Sequence, residues 1–155
     1  MQRKQTDSRK WKVEDSKKNS AQAKIGIVVS QYNSDITFTM RDGAVRELRS
    51  RGVKNISVVC APGSFEIPIV CQRLAKTKKF DGLLAIGCVI RGDTDHYVYI
   101  ANESTRGIMN VMLKYDIPIA NAILTVNNLK QAQIRSRGKM NKGVEAAAAL
   151  LEVLS

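Results

Sequence analysis

Four short runs rich in β-branched residues, each followed by a stretch with helical character, restrict this chain to a small set of folds. The runs are Lys24–Ser30 (KIGIVVS), Asn55–Cys60 (NISVVC), Gly82–Val89 and Ile119–Val126 (IANAILTV). Between and after them the sequence predicts helices. Thr37–Arg51 carries apolar residues at Phe38, Met40, Ala44, Val45 and Leu48, with Gly52 as its C-terminal cap. Phe65–Thr77 places Pro68 in its first turn, where the missing N–H costs nothing. Tyr97–Leu113 follows a polar turn with Thr94 or Asp95 as N-cap, and Asp116-Ile117-Pro118 breaks it. Asn127–Ser136 and Asn141–Leu154 close the chain. Strand–helix alternation repeated four times implies a parallel sheet covered by helices on both faces, an α/β fold. In such sheets ligands gather beyond the carboxyl ends of the strands. Those ends are Gln31–Asp35, Ala61–Glu66, Ile90–His96 and Val126–Asn128.

One of these edges stands out. Gly82 to Val89 is apolar throughout and reads as a strand buried on both faces. It runs into Arg91-Gly92-Asp93-Thr94-Asp95 and then His96, the one histidine of the sequence. A loop with free backbone N–H groups at a helix N-terminus suits an anion. An imidazole beside it is the side chain that changes charge nearest neutral pH. By itself a single histidine in such a loop is more often a surface or capping residue, so the other edges decide its meaning.

At 155 residues the chain fits one domain with a substantial core. No uninterrupted apolar segment is long enough to span a membrane, and the basic N-terminus lacks an apolar signal region. Cys60, Cys71 and Cys88 are odd in number and widely spaced, which implies neither a disulfide framework nor a zinc site. A reducing, cytoplasmic setting is expected. A thiol- or metal-dependent hydrolase built on Cys88 and His96 has only proximity in its favour, and Cys88 lies in strand sequence. No GxGxxG or P-loop glycine cradle is present.

Net charge is +11, and it is unevenly placed. Residues 1–24 hold eight Lys/Arg against Asp7, Glu14 and Asp15, a net of +5. Polar, aperiodic and with Trp11 its one aromatic, the segment 1–23 reads as a disordered basic arm ahead of a domain at 24–155. A solvated tail is the simpler meaning. A non-enzymatic assembly or RNA-binding protein working through the arm is the alternative function.

The four edges in their order carry Tyr32-Asn33 with Ile36-Thr37; Ala61-Pro62-Gly63-Ser64-Phe65-Glu66-Ile67-Pro68; Gly87 with Val89-Ile90-Arg91-Gly92, Thr94 and His96-Tyr97; and Ala122-Ile123-Leu124-Thr125, Gln131-Ala132, Arg135 and Asn141-Lys142-Gly143. These stretches resemble the lumazine synthase family over about residues 24 to 154. The resemblance implies a three-layer α/β/α sandwich with a four-stranded parallel sheet in flavodoxin-like order. It implies a condensation of 5-amino-6-ribitylamino-pyrimidinedione with 3,4-dihydroxy-2-butanone 4-phosphate, without metal or organic cofactor, in riboflavin biosynthesis.

Residue roles follow from the same resemblance. Tyr32, where the family usually has phenylalanine, would stack on the pyrimidine. Asn33, Ser64, Phe65, Glu66, Val89, Ile90 and Asn121 would hold the pyrimidine and its ribityl chain. Gly92, Asp93, Thr94, Arg135 and Lys142 would bind the phosphate, with Arg137 the competing arginine, and His96 would move protons. Arg135 and Lys142 would come from a neighbouring subunit. The family forms homopentamers with sites between subunits, some of them sixty-subunit shells, and association with riboflavin synthase is a further implied partnership. Further departures from its pattern are Asn127-Asn128 in place of a pair that usually begins with an acid, Gln133-Ile134-Arg135-Ser136-Arg137 in place of a run ending in Arg-Ala-Gly, and no sign of the short N-terminal strand in residues 1–24.

Overall fold

The computed structural model describes residues 19–155. The basic arm, expected at 1–23, therefore lies mostly outside the described residues. Its end is a short 3-10 turn, Ser20–Gln22, capped by Asn19, whose Oδ1 accepts from the Ala21 N–H at 3.1 Å.

Strand β1 is Lys24–Ser30, β2 Asn55–Ala61, β3 Gly82–Ile90 and β4 Ile119–Val126. All pair in parallel in the order β2-β1-β3-β4, registered for example as Lys24↔Asn55, Ile25↔Gly82 and Ile86↔Ala122. This is the expected flavodoxin-like sheet. The helices are α1 (Ser34–Ser50), α2 (Ile67–Lys76), α3 (His96–Tyr115), α4 (Leu129–Arg135) and α5 (Lys142–Leu154).

Alternation along the strands builds two cores. Ile25, Ile27 and Val29 of β1 and Leu84, Ile86 and Cys88 of β3 face α1 and α5, where Met40, Leu48, Ala147 and Leu150 meet them. Val28, Leu83 and Ala85 face the other way, onto Ile67 and Cys71 of α2 and Ile108 and Val111 of α3. A strand buried on both faces must be apolar at every position, which is why β3 reads as an unbroken run.

Local chemistry sets the ends of the helices. α1 stops in a Schellman motif: the Val53 N–H donates to Leu48 O and the Gly52 N–H to Arg49 O, both at 3.0 Å, with Gly52 at φ +91°. α1 begins at Ser34, three residues before the expected start. Asn33 takes the left-handed conformation (φ 57°, ψ 45°), and its carbonyl accepts the N–H groups of Ile36 and Thr37. α2 follows the expected helical stretch, but its first turn, Ser64–Glu66, is 3-10. α3 starts at His96, with Asp95 at the cap position but without a side-chain capping bond. The expected helix Asn127–Ser136 is shorter, because Asn128 caps it through the Gln131 N–H (2.9 Å), and a separate 3-10 turn occupies Gly138–Met140.

α1 and α5 cross closely at two glycines. A Cβ on Gly143 would stand 2.3 Å from the Met40 carbonyl oxygen, and one on Gly43 would stand 2.4 Å from the side chain of Asn141. Asn141 is buried and caps α5 through the Gly143 and Val144 N–H groups. That crossing fixes where Lys142 projects.

Candidate active site

In chain order the polypeptide goes from β1 to its neighbour β2 on one side, then crosses back to β3 on the other. The carboxyl ends of β1 and β3 are therefore a topological switch point, where the loops part and leave a crevice. A cavity of about 470 Å³ lies there. Its walls come from three loops that the backbone ties together. The Gln31 N–H donates to Ala61 O (2.8 Å) and the Tyr32 N–H to Pro62 O (3.0 Å), joining the first loop to the second. The Asn33 side-chain amide donates to Cys88 O (3.0 Å), joining it to the third. The Thr37 hydroxyl donates to Ser30 O at 2.6 Å and fixes the start of α1 beneath.

Ten of the expected site residues line this cavity: Tyr32, Asn33, Ser64, Phe65, Glu66, Val89, Ile90, Gly92, Thr94 and His96. Tyr32 and Phe65 are 72% and 57% exposed, so two aromatic side chains stand open at the mouth. Such faces accept a flat heteroaromatic ring. Ser64 is buried against β3 at Gly87, where an added Cβ would come within 2.5 Å of the serine Oγ. Glycine at that point gives Ser64 its place in the floor. The Thr94 hydroxyl accepts from the His96 N–H at 3.4 Å, so the histidine opens α3 at the cavity edge. Asp93 is exposed and does not line the cavity. At Gly92 an added Cβ would meet nothing within 4 Å, leaving the loop backbone open on that side.

The other three expected residues stand elsewhere. Asn121, Arg135 and Lys142 line a second cavity of about 430 Å³, set against β4, the edge strand, with walls from α4 and α5. Arg135 is half-buried and donates from Nη1 to Gln131 O at 3.3 Å. Lys142 Nζ pairs with Glu145 at 2.7 Å, an exposed i,i+3 contact that an incoming anion can displace. Asn121 Oδ1 accepts from the Ile123 N–H at 2.9 Å, which leaves its amide N–H groups for another acceptor. Arg137 is exposed and lines neither cavity. One chain thus carries an aromatic pocket with a histidine and, apart from it, a cationic pocket.

Sequence reasoning missed Tyr97 and Ile100, which line the first cavity beside His96. Ile100 has spacing as its available signal, since it lies four residues beyond His96 and three beyond Tyr97 on one side of α3. Tyr97 is also under the Arg91 guanidinium, 5.8 Å from the ring centre. Cys88 is 2% exposed, and burial pushes its thiol up to about 11, so it is no thiolate nucleophile at neutral pH. Among the described residues no group of three or more His, Cys, Asp or Glu is placed to hold a metal ion, and no helix is long and apolar enough to cross a membrane.

The family model described as 6,7-dimethyl-8-ribityllumazine synthase matches residues 22–155. A protein of Desulfovibrio desulfuricans described as 6,7-dimethyl-8-ribityllumazine synthase is 42% identical over 134 residues, 84% of this chain and 86% of its own.

Proposed function

The chain belongs to the 6,7-dimethyl-8-ribityllumazine synthase family, and from that premise we propose how its residues carry the family's reaction. It is a transferase of riboflavin biosynthesis that condenses 5-amino-6-ribitylamino-pyrimidinedione with 3,4-dihydroxy-2-butanone 4-phosphate, releasing phosphate and water. A non-enzymatic assembly role does not replace that reaction.

The observation that carries the residue roles is the switch-point cavity, with two open aromatics at its mouth and a histidine at its edge. Tyr32 and Phe65 take the faces of the pyrimidine, and Val89 and Ile90 supply the apolar wall. Ser64, Glu66 and the free Oδ1 of Asn33 meet the polar edge of the ring and the ribityl hydroxyls. Asn33 acts chiefly as a brace, because its amide N–H is committed to Cys88 O.

The chemistry is imine formation, loss of phosphate and ring closure. The pyrimidine amine adds to the ketone and water leaves, giving the imine. A proton is then lost from carbon as the C–O bond to phosphate breaks. The enol left behind takes a proton on its terminal carbon and becomes a methyl ketone, and the ribityl-bearing nitrogen closes on that new carbonyl with loss of a second water. Each step moves a proton on or off carbon, nitrogen or oxygen, and His96 is the group at the cavity edge that relays it. The departing phosphate is held by Gly92 and Thr94, with Asp93 contributing its backbone N–H. Arg135 and Lys142 supply charge from the cationic pocket of a neighbouring subunit, because on one chain the two pockets are separate. The working form is accordingly a homopentamer or larger shell with sites between subunits, in the cytoplasm. Residues 1–23 lie outside the catalytic unit, and riboflavin synthase is the partner that would receive the product.

Mixing the two substrates with purified protein and following lumazine fluorescence tests the reading. Absence of fluorescence with protein that is folded and assembled would refute it.

A further inference from the structure

The positive charge of the chain gathers at the end of the sheet opposite the cavity. Strands β1, β2 and β3 begin there, and the helices that run back against them end there. Lys24 opens β1 and Lys54 stands just before β2, and both are exposed. Arg49 and Arg51 close α1, and the Arg49 guanidinium bonds the carbonyls of Val53 and Lys54 (3.2 and 2.7 Å). Lys76, Lys78 and Lys79 close α2 and lead toward β3. Against these seven stand Glu47, paired with Arg51 at 2.7 Å, and Asp81, which accepts from the Lys24 N–H. On the β4 side of the same end Lys114 is offset by Asp116 and Glu152.

With Arg73, in the last turn of α2, the named side chains at this end are nine cations against four acids, a net of +5. Residues 1–18 hold a further seven Lys/Arg against three acids in the sequence. Helix C-termini attract cations on their own account, which explains Arg49 and Lys76. That effect does not explain Lys24 and Lys54, which belong to no helix. Nor does it explain Lys78. It stands at φ 55° just past the end of α2, the position glycine prefers, and holds a charged side chain in the disfavoured left-handed region.

We propose that this pole binds the phosphodiester backbone of nucleic acid, as an activity separate from the condensation. Among the described residues the one large apolar side chain exposed on the basic half is Val58, midway along β2, which makes no apolar face. Leu113 and Val153, the exposed ones at this end, lie on the β4 side. A lipid surface would require an apolar face to insert, so a membrane is the poorer fit. Among the described residues the exposed aromatics, Tyr32, Phe65 and Tyr99, are elsewhere, so the folded part of the pole offers bases no exposed ring to stack on. Binding is therefore to backbone charge, indifferent to base sequence and strongly weakened by salt.

The test uses the full-length chain and fluorescence anisotropy with a labelled duplex of mixed sequence, a second duplex of scrambled sequence, poly-glutamate, and phosphatidylcholine vesicles containing phosphatidylserine. Both duplexes bind alike. Lys76→Glu/Lys79→Glu weakens duplex binding about tenfold or more and flattens the slope of log K against log salt by about 2. Lys130→Glu/Lys139→Glu, with the same change in net charge at the other end, changes binding by less than about threefold. Lumazine formation by the pole variant is unchanged. The proposal is overturned by any of four results: no duplex binding, an equal loss in the control variant, full binding by the pole variant, or tighter binding to vesicles or poly-glutamate than to duplex.

Discussion

Arg135→Ala tests the cationic pocket and, paired with His96→Ala, tests where that pocket belongs. The arginine is half-buried, steadied by its bond to Gln131 O, and shares its cavity with Lys142. Truncating one partner of a buried charge pair costs about 2–5 kcal/mol. The pocket is open and Lys142 remains, so the loss falls at the lower end, about 2–3 kcal/mol, or roughly 30- to 150-fold in kcat/KM for the butanone phosphate. The pyrimidine KM stays within about twofold, since Arg135 is not in the aromatic cavity. Arg137→Ala, two residues on and exposed, leaves both substrates unaffected. His96→Ala slows turnover by about 10²-fold, the low end for proton transfer, because water reaches an exposed histidine. If each site takes its histidine from one subunit and its arginine from the next, equal mixing of the two variants during assembly rebuilds intact sites. About a quarter of the sites then recover full activity, because each site draws its two halves independently. The assay is lumazine formation by the dissociated and reassembled mixture, with each substrate varied in turn. Activity no greater than the mean of the two parents would place both residues in one chain's site and refute the argument. A rise in the butanone phosphate KM for Arg137→Ala alone would reassign the ligand.

Gly87→Ala drives a methyl to 2.5 Å from Ser64 Oγ in a two-sided strand, so stability falls by about 1–3 kcal/mol in urea unfolding and the pyrimidine KM rises more than that of the phosphate substrate. Burial pushes the Cys71 thiol up to about 12, so the folded chain keeps a proton that the unfolded chain releases above its ordinary value near 9. That stability is complete below pH 9 and is lost as pH rises from there toward 12. Cys71→Ala unfolding midpoints should therefore fall less steeply than those of the parent over this interval. Activity survives exhaustive EDTA treatment and dialysis; loss with EDTA and return with zinc would overturn the site. Deleting residues 1–18 leaves the rate per site within about twofold, as expected for a segment outside the catalytic unit, and a dissociated assembly after truncation would show the opposite.

β1 and β3 were legible because burial on both faces leaves a continuous apolar run, and the edge strands β2 and β4 through their β-branched and apolar residues; β1 and β4 match their expected bounds while β2 and β3 run one residue further. The start of α1 was not legible. It depends on the left-handed Asn33 and on its bond to a carbonyl 55 residues away, which no local pattern reveals. The same bond commits the Asn33 amide N–H to the third loop. Thr94 and Asp95 were both reasonable caps for α3, yet neither closes the helix strongly. Thr94 Oγ1 makes one long contact, with the His96 N–H, and the Asp95 side chain none, though its carbonyl accepts the Val98 N–H at 3.0 Å.

The division of the site into two cavities follows from strand order, which spacing along a sequence does not contain. Loops after β1, β2 and β3 converge because β1 lies between β2 and β3, and the crossover reverses there. β4 is one strand further out, with its far side unpaired, and α4 and α5 fold back over the face that α1 occupies. Whatever those two helices present beside β4 therefore faces away from the switch point of its own chain. Arg135 and Lys142 line the cavity beside β4, and His96 lines the one at the switch point. A second chain seated at the β4 edge brings its switch-point cavity to these cations and leaves both sheets intact. On the proposed reading assembly is a condition of catalysis, because the fold that exposes the aromatic pocket sets Arg135 and Lys142 in a different cavity.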